Sequence, residues 1–176
     1  MRVYAVRHGQ SEYNLLGLCN DDPTRPVHLT SLGHEQARAA AIALGDVRLD
    51  AAYTSPLPRA RETAEILCRG AKIPLTVDDR LADIRSGFDG RPVADYQAAI
   101  AHDPMHASIN GGESLAMHKE RVVGFLDWLR RQSHASVLLV AHEETLRVFK
   151  AFAEGLTDEA MMGLAYANCE VYAVEL

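Results

Sequence analysis

A chain of 176 residues has the length of one compact domain, and with 48% apolar residues it can bury a full core. Its net charge of −6 excludes a nonspecific nucleic-acid binder, which needs a basic face, yet leaves room for a small anion drawn to clustered arginines. Cys19, Cys68 and Cys169 are odd in number and too scattered for a disulfide framework or a zinc site, so with no signal-peptide pattern and no membrane-length run the cytoplasm is the expected compartment.

Val3 to Val6 predicts a buried strand that runs directly into Arg7-His8-Gly9 and the polar stretch Gln10-Ser11-Glu12. Ligands of open α/β sheets bind at the carboxyl ends of strands, where a following helix aims unpaired N–H groups at anions. Arg7 adds an always-charged fork suited to phosphate. The alanine-rich run Ser31 to Leu44 predicts a helix, with Thr30 or Ser31 as N-cap and Gly45 just past its end. Ala51 to Tyr53 predicts a second strand, and Ser55-Pro56-Leu57-Pro58-Arg59 leads from it into a helix with arginine on its first turn. Arg61, two positions on, falls on another side and reads as a surface residue.

Leu75 to Val77 predicts a third strand. The interval 78–110 is irregular, punctuated by Gly87, Gly90, Pro92 and Pro104, with one helix expected over Val93 to Ala101. A long crossover of this kind above the ligand end of a sheet reads as a substrate cover. Asn110-Gly111-Gly112-Glu113-Ser114 then forms a turn feeding an amphipathic helix whose Leu115, Val122, Phe125, Leu126 and Leu129 share one face. Glu113 is expected to orient a neighbour or to cap that helix. Val137 to Val140 predicts a buried strand ending in Ala141-His142, and Glu170 to Glu175 predicts the last strand. The alternation of strands and helices predicts a three-layer α/β/α sandwich with a largely parallel sheet, one domain over residues 1–176. His102 and His106 stand four apart, but Asp103-Pro104 breaks the helical spacing a ligand pair needs, so neither metal nor cofactor is expected.

Five segments in order, R-H-G-Q-S-E-Y-N at 7–14, Leu29 to Ala37, Ser55 to Ala64, Asn110 to Ser114 and Val137 to His142, resemble the histidine phosphatase superfamily, also called phosphoglycerate mutase-like. The resemblance runs from Arg2 to about Asn168 and implies that fold. It implies that His8 attacks phosphorus to form a phosphoenzyme, that Arg7, Arg59 and His142 surround the phosphoryl group, and that Asn14 donates to a phosphate oxygen. Attack needs one unprotonated ring nitrogen, so the other nitrogen of His8 must donate to something fixed, such as a nearby backbone carbonyl. For the general acid the family often supplies a glutamate from a segment like Leu81 to Gly90; the matching residue is Asp83, one methylene shorter, with Asp89 as the substitute. After His142 the chain carries Glu143-Glu144 where the family usually has glycines. Acidic side chains at a helix start gain roughly 0.3–1 kcal/mol each from its dipole, so at least one is expected to point outward, the other narrowing the pocket or meeting a cationic part of the substrate.

These readings converge on a metal-independent phosphomonoester hydrolase that acts through phosphohistidine on a small phosphorylated metabolite, a small-molecule phosphate ester rather than nucleic acid or membrane. Three alternatives stand beside it: a phosphoglycerate mutase-type phosphotransferase, whose family members tend to be longer; a protein-phosphohistidine phosphatase; and a degenerate phosphate-ligand binder, favoured by Asp83 and Glu143-Glu144. Oligomeric state stays open, a homodimer included.

Overall fold

The computed structural model describes residues 1–71 and 73–176. Strand β1 (Arg2–Arg7) is followed by the short helix α1 (Glu12–Leu16), α2 (Ser31–Leu44), β2 (Ala51–Thr54), α3 (Pro58–Leu67), β3 (Leu75–Val77), α4 (Val93–Ile100) and α5 (Leu115–Leu129). The chain closes with β4 (Ser136–Ala141), α6 (Glu143–Glu154), α7 (Asp158–Met162) and β5 (Val171–Glu175). The five strands form one sheet in the order β3-β2-β4-β1-β5. All neighbours are parallel except β5, which pairs antiparallel with β1 at the edge.

Period-two alternation sorts the strand side chains into two cores. Val3, Ala5, Val137, Leu139 and Ala141 face α5 and α6, packing with Phe125, Leu126, Leu146 and Phe149. Val6, Ala52, Leu138 and Val140 face the opposite layer and pack with Leu44 and Ala64 of α2 and α3. Central strands buried on both faces are what a sheet sandwiched by helices requires, and the run Val137 to Val140 has no polar residue to break it. The three-layer α/β/α architecture follows.

The helix ends are set by local chemistry. Thr30 accepts from Gly33 N at 3.0 Å as the N-cap of α2, and Ser114 accepts from Met117 N at 3.2 Å as the N-cap of α5. Glu113 therefore is not the cap, because the hydroxyl one residue later reaches the free N–H group first. Two glycines bring the loop after β1 against α2: a side chain on Gly9 would meet the Gly33 carbonyl oxygen at 2.5 Å, and one on Gly33 would meet that of Gln10 at 2.1 Å. Thr30 N donates to Gln10 O at 2.9 Å and Gln10 N to the Gln36 side chain at 2.9 Å, fastening the loop there.

Candidate active site

Three parallel neighbours, β2, β4 and β1, end at the same edge of the sheet. Their carboxyl ends deliver Arg7 and His8, then Ser55 and the first turn of α3, and His142. His8 N donates to Ala141 O at 3.0 Å, so the two histidine-bearing loops continue the ladder side by side. The rings of His8 and His142 lie 5.1 Å apart at their centres, both buried, at the floor of a cavity of about 260 Å³.

His8 Nδ1 donates to the carbonyl of Gly9 at 2.7 Å. A carbonyl only accepts, so the proton sits on Nδ1 and Nε2 keeps its lone pair. Arg59 Nε donates to that Nε2 at 3.0 Å. Burial first, then the Arg59 and Arg7 charges, hold the His8 pKa well below its ordinary value, so the ring is neutral near pH 7. His142 is also held well below, by burial and then by Arg59. Its Nδ1 accepts from Arg59 Nη2 at 3.2 Å, which leaves Nε2 to donate to Ser55 Oγ at 2.7 Å.

Arg59 is the centre of the site and is buried, whereas Arg61 is exposed on the other side of α3. Pro58 occupies the first helical position, where its missing N–H costs nothing. Besides the two histidines, the guanidinium donates from Nη1 to Asn20 Oδ1 at 2.5 Å and from Nη2 to Asn20 O at 3.0 Å and Asp83 Oδ2 at 2.8 Å. Three acceptors therefore surround the two hydrogens of Nη2. Arg7 donates from Nη1 to Tyr166 O and pairs with Glu143 at 3.1 Å, while its Nε has no partner among the described residues.

Asp83 lines the cavity and stands 3.5 Å from His142 Nδ1. Burial and the Glu144 charge push its pKa up to about 7, against the pull of Arg59 and the Ile84 N–H. Asp89 is elsewhere: its carboxylate accepts from Asn20 Nδ2, Asp21 N and Asp22 N and pairs with Arg25, knotting the loop after α1 to the 88–92 turn. Asn14 lines the cavity, with Oδ1 accepting from Ser11 N at 3.1 Å in a capping box of α1, so its amide NH₂ is the group left to face a ligand.

The expectation that Glu143 or Glu144 points outward is overturned, because both line the cavity. Glu143 bridges Arg7 and Arg147 and accepts from Tyr166 N at 3.2 Å, an ion-pair network that holds it in the cavity wall at a helix start the dipole already favours.

Asn20, Asp21 and Arg121 carry no sequence signal of their own. Asn20 and Asp21 sit in a turn-rich run without periodicity, yet Asn20 holds Arg59 and Asp21 accepts from Ser86 N and Oγ at 2.5 and 2.6 Å. Glu113 is buried and accepts from Arg121 Nε and Nη2 at 2.9 and 2.8 Å and from Arg85 N at 3.1 Å. Arg121 also donates to the carbonyls of Arg80, Ala82 and Asp83 at 2.9, 3.1 and 3.3 Å, gripping the segment that ends in the Asp83 carboxyl. Burial pushes Glu113 up, but the hydrogen bonds from Arg121 and Arg85 win and leave it at about 2.

A sequence profile of the histidine phosphatase superfamily (branch 1) matches residues 3–176. Phosphoserine phosphatase 1 of Hydrogenobacter thermophilus is 30% identical over 158 residues, spanning 84% of this chain and 73% of its own. The adenosylcobalamin/alpha-ribazole phosphatase of Escherichia coli K12 is 29% identical over 170 residues, 92% of this chain and 83% of its own. The crystal structure of the alpha-ribazole phosphatase from Shigella flexneri superposes with a TM-score of 0.91 at 27% identity, covering 100% of this chain and 91% of that one.

Proposed function

The chain belongs to branch 1 of the histidine phosphatase superfamily, and on that footing we propose that His8 is its nucleophile and Asp83 its proton donor in the hydrolysis of a small phosphate monoester. The observation that carries the assignment is the His8 ring: neutral, tautomerically fixed by Gly9 O, with Nε2 turned toward Arg59 at the floor of the cavity. As a phosphate enters, the Arg59 N–H now on Nε2 moves to a phosphate oxygen, and the Arg7 guanidinium and Asn14 Nδ2 add further donors, while His142, its one N–H held by Ser55, steadies Arg59 through Nδ1. Nε2 then forms a bond to phosphorus while the ester P–O bond breaks, and Asp83 passes its proton to the departing alkoxide. Water attacks the phosphohistidine next, Asp83 takes its proton, and the N–P bond breaks to release inorganic phosphate and neutral His8.

Residues 1–176 form one catalytic domain in this reading, and 78–110 covers the site, supplying Asp83, Ile84, Ser86, Tyr96 and Gln97 to its walls. The three free thiols, Cys19, Cys68 and Cys169, suit the reducing cytoplasm. Relatives named for phosphoserine and alpha-ribazole phosphate support a small metabolite as substrate. The test is to trap phosphate on the protein: acid-labile, base-stable label on the wild type and none on His8→Ala supports the assignment, and equal labelling of both moves the nucleophile elsewhere. Label passed to a second alcohol instead of water would make the enzyme a phosphotransferase.

A further inference from the structure

The charge of the cavity does not suit an uncompensated phosphate dianion. Three guanidinium groups, Arg7, Arg59 and Arg147, share it with four carboxyl groups, Asp21, Asp83, Glu143 and Glu144, and both histidines are neutral. Three of the four carboxyls are committed. Asp21 holds Ser86, Asp83 accepts from Arg59 and from Ile84 N at 2.9 Å, and Glu143 bridges Arg7 and Arg147. Glu144 accepts no hydrogen bond among the described residues. Its nearest cation is Arg147 Nη1 at 3.9 Å, on a head group that Glu143 already holds at 3.2 Å.

Glu144 is set in the wall rather than in open solvent, with its side chain 31% exposed. Its negative charge reaches across the cavity, adding to the burial that raises both Asp83 and Tyr96. The dipole of α6 makes a carboxylate tolerable at that position, and the carboxylate in turn offsets the attraction that helix start would offer an incoming dianion. Left alone, Glu144 weakens the binding of every phosphate ester. The penalty becomes a gain when the alcohol part of the ester carries a positive charge, and Tyr13 and Tyr96, which line the same cavity, are the aromatic partners a desolvated ammonium favours.

We propose that Glu144 is the specificity determinant of this enzyme and selects phosphate monoesters whose alcohol bears an ammonium group. The proposal rests on the phosphomonoesterase reading above. It fits the cavity's near balance of charge: the phosphoryl group faces Arg7 and Arg59, and the ammonium faces the one carboxylate without a hydrogen bond.

Three esters of matched size test it: phosphoethanolamine, 2-hydroxyethyl phosphate and phosphoglycolate, which end in a cation, a neutral hydroxyl and an anion. With wild-type protein, kcat/KM should fall in that order, phosphoethanolamine leading the neutral ester by about fivefold, the upper scale of one partly exposed charge pair. Glu144→Gln should collapse the order, lowering the cationic ester and raising the anionic one relative to the neutral ester. Glu144→Ala should collapse it in the same way. An order that is absent in the wild type, or that survives both substitutions, overturns the proposal. Turnover of p-nitrophenyl phosphate by the wild type is read alongside: turnover without the order defeats the role of Glu144 alone, whereas no turnover defeats the phosphomonoesterase reading and this proposal with it.

Discussion

Arg59 donates to the Asp83 carboxylate at 2.8 Å while its Nε touches His8 Nε2 at 3.0 Å, so one side chain holds the candidate acid and the candidate nucleophile together. A phosphate that draws Arg59 to its own oxygens frees both at once. Asp83 then loses the charge that keeps its proton affinity down, and so is more fully protonated when a leaving group is present to receive the proton.

Asp83→Asn should therefore discriminate between leaving groups. An alkyl phosphate needs its departing oxygen protonated and should lose about 10²–10³-fold in kcat, within the usual range for a general acid. p-Nitrophenyl phosphate, whose leaving group departs as an anion, should lose far less. Equal losses on the two substrates would make Asp83 a positioning residue only.

Arg59→Ala should reduce kcat/KM by about 10²–10³-fold, the scale of removing a preorganised donor from a developing charge. Arg61→Ala should stay within about twofold of wild type, because its exposed side chain has no role beyond the surface. Steady-state kinetics on one ester settle the pair, and comparable losses at both positions would refute the reading of α3.

The pH dependence of stability has a definite sign. His8 and His142 are held well below 6.5 and His118, buried on α5, is at about 3, so in each case the unfolded chain takes up a proton the folded chain refuses. Their stabilisation is complete above pH 6.5 and is lost as pH falls. Glu113, at about 2 when folded, adds its own loss below pH 4.5. Asp83 works in the other direction, its share being present at low pH and lost as pH rises through about 7. His28, raised by its hydrogen bond to Glu62, sides with Asp83 but is exposed and screened, so the three buried histidines predict a melting temperature that drops steadily from pH 7.5 to 5. A flat profile over that range would show that the histidines are not buried neutral.

Arg121→Ala should act at a distance on the acid. It releases the carbonyls of Arg80, Ala82 and Asp83 and leaves the buried Glu113 to Arg85 alone, a change of about 1.5–3 kcal/mol in stability. Below its melting temperature the variant should lose alkyl phosphate turnover preferentially, reproducing a weaker version of Asp83→Asn. A loss shared equally by both substrates would mean that the segment carrying Asp83 is held by other contacts.

The elements were legible because the pattern that specifies them is local. Val137 to Val140 announces a strand buried on both faces by its uninterrupted branched and apolar side chains, and Thr30 announces a helix start by its hydroxyl three residues before Gly33. His8, Arg59 and His142 were legible because each follows a strand end. The partners of those residues were not. Asn20 reaches Arg59 across 39 positions and Glu143 turns to Arg7 only because β1 and β4 are neighbours, a fact of pairing that no stretch of the chain records.

The contact between Gly9 and Gly33 ties α2 to the candidate nucleophile without any side chain of that helix reaching it. Main chain lies against main chain there, with no compressible side chain between, so the carbonyl that fixes the His8 tautomer is backed by a rigid stop. Under the proposed mechanism, recoil of the imidazole would be resisted by the first turn of that helix, and a single methyl group at either glycine would act as a wedge that tilts His8 away from the cavity.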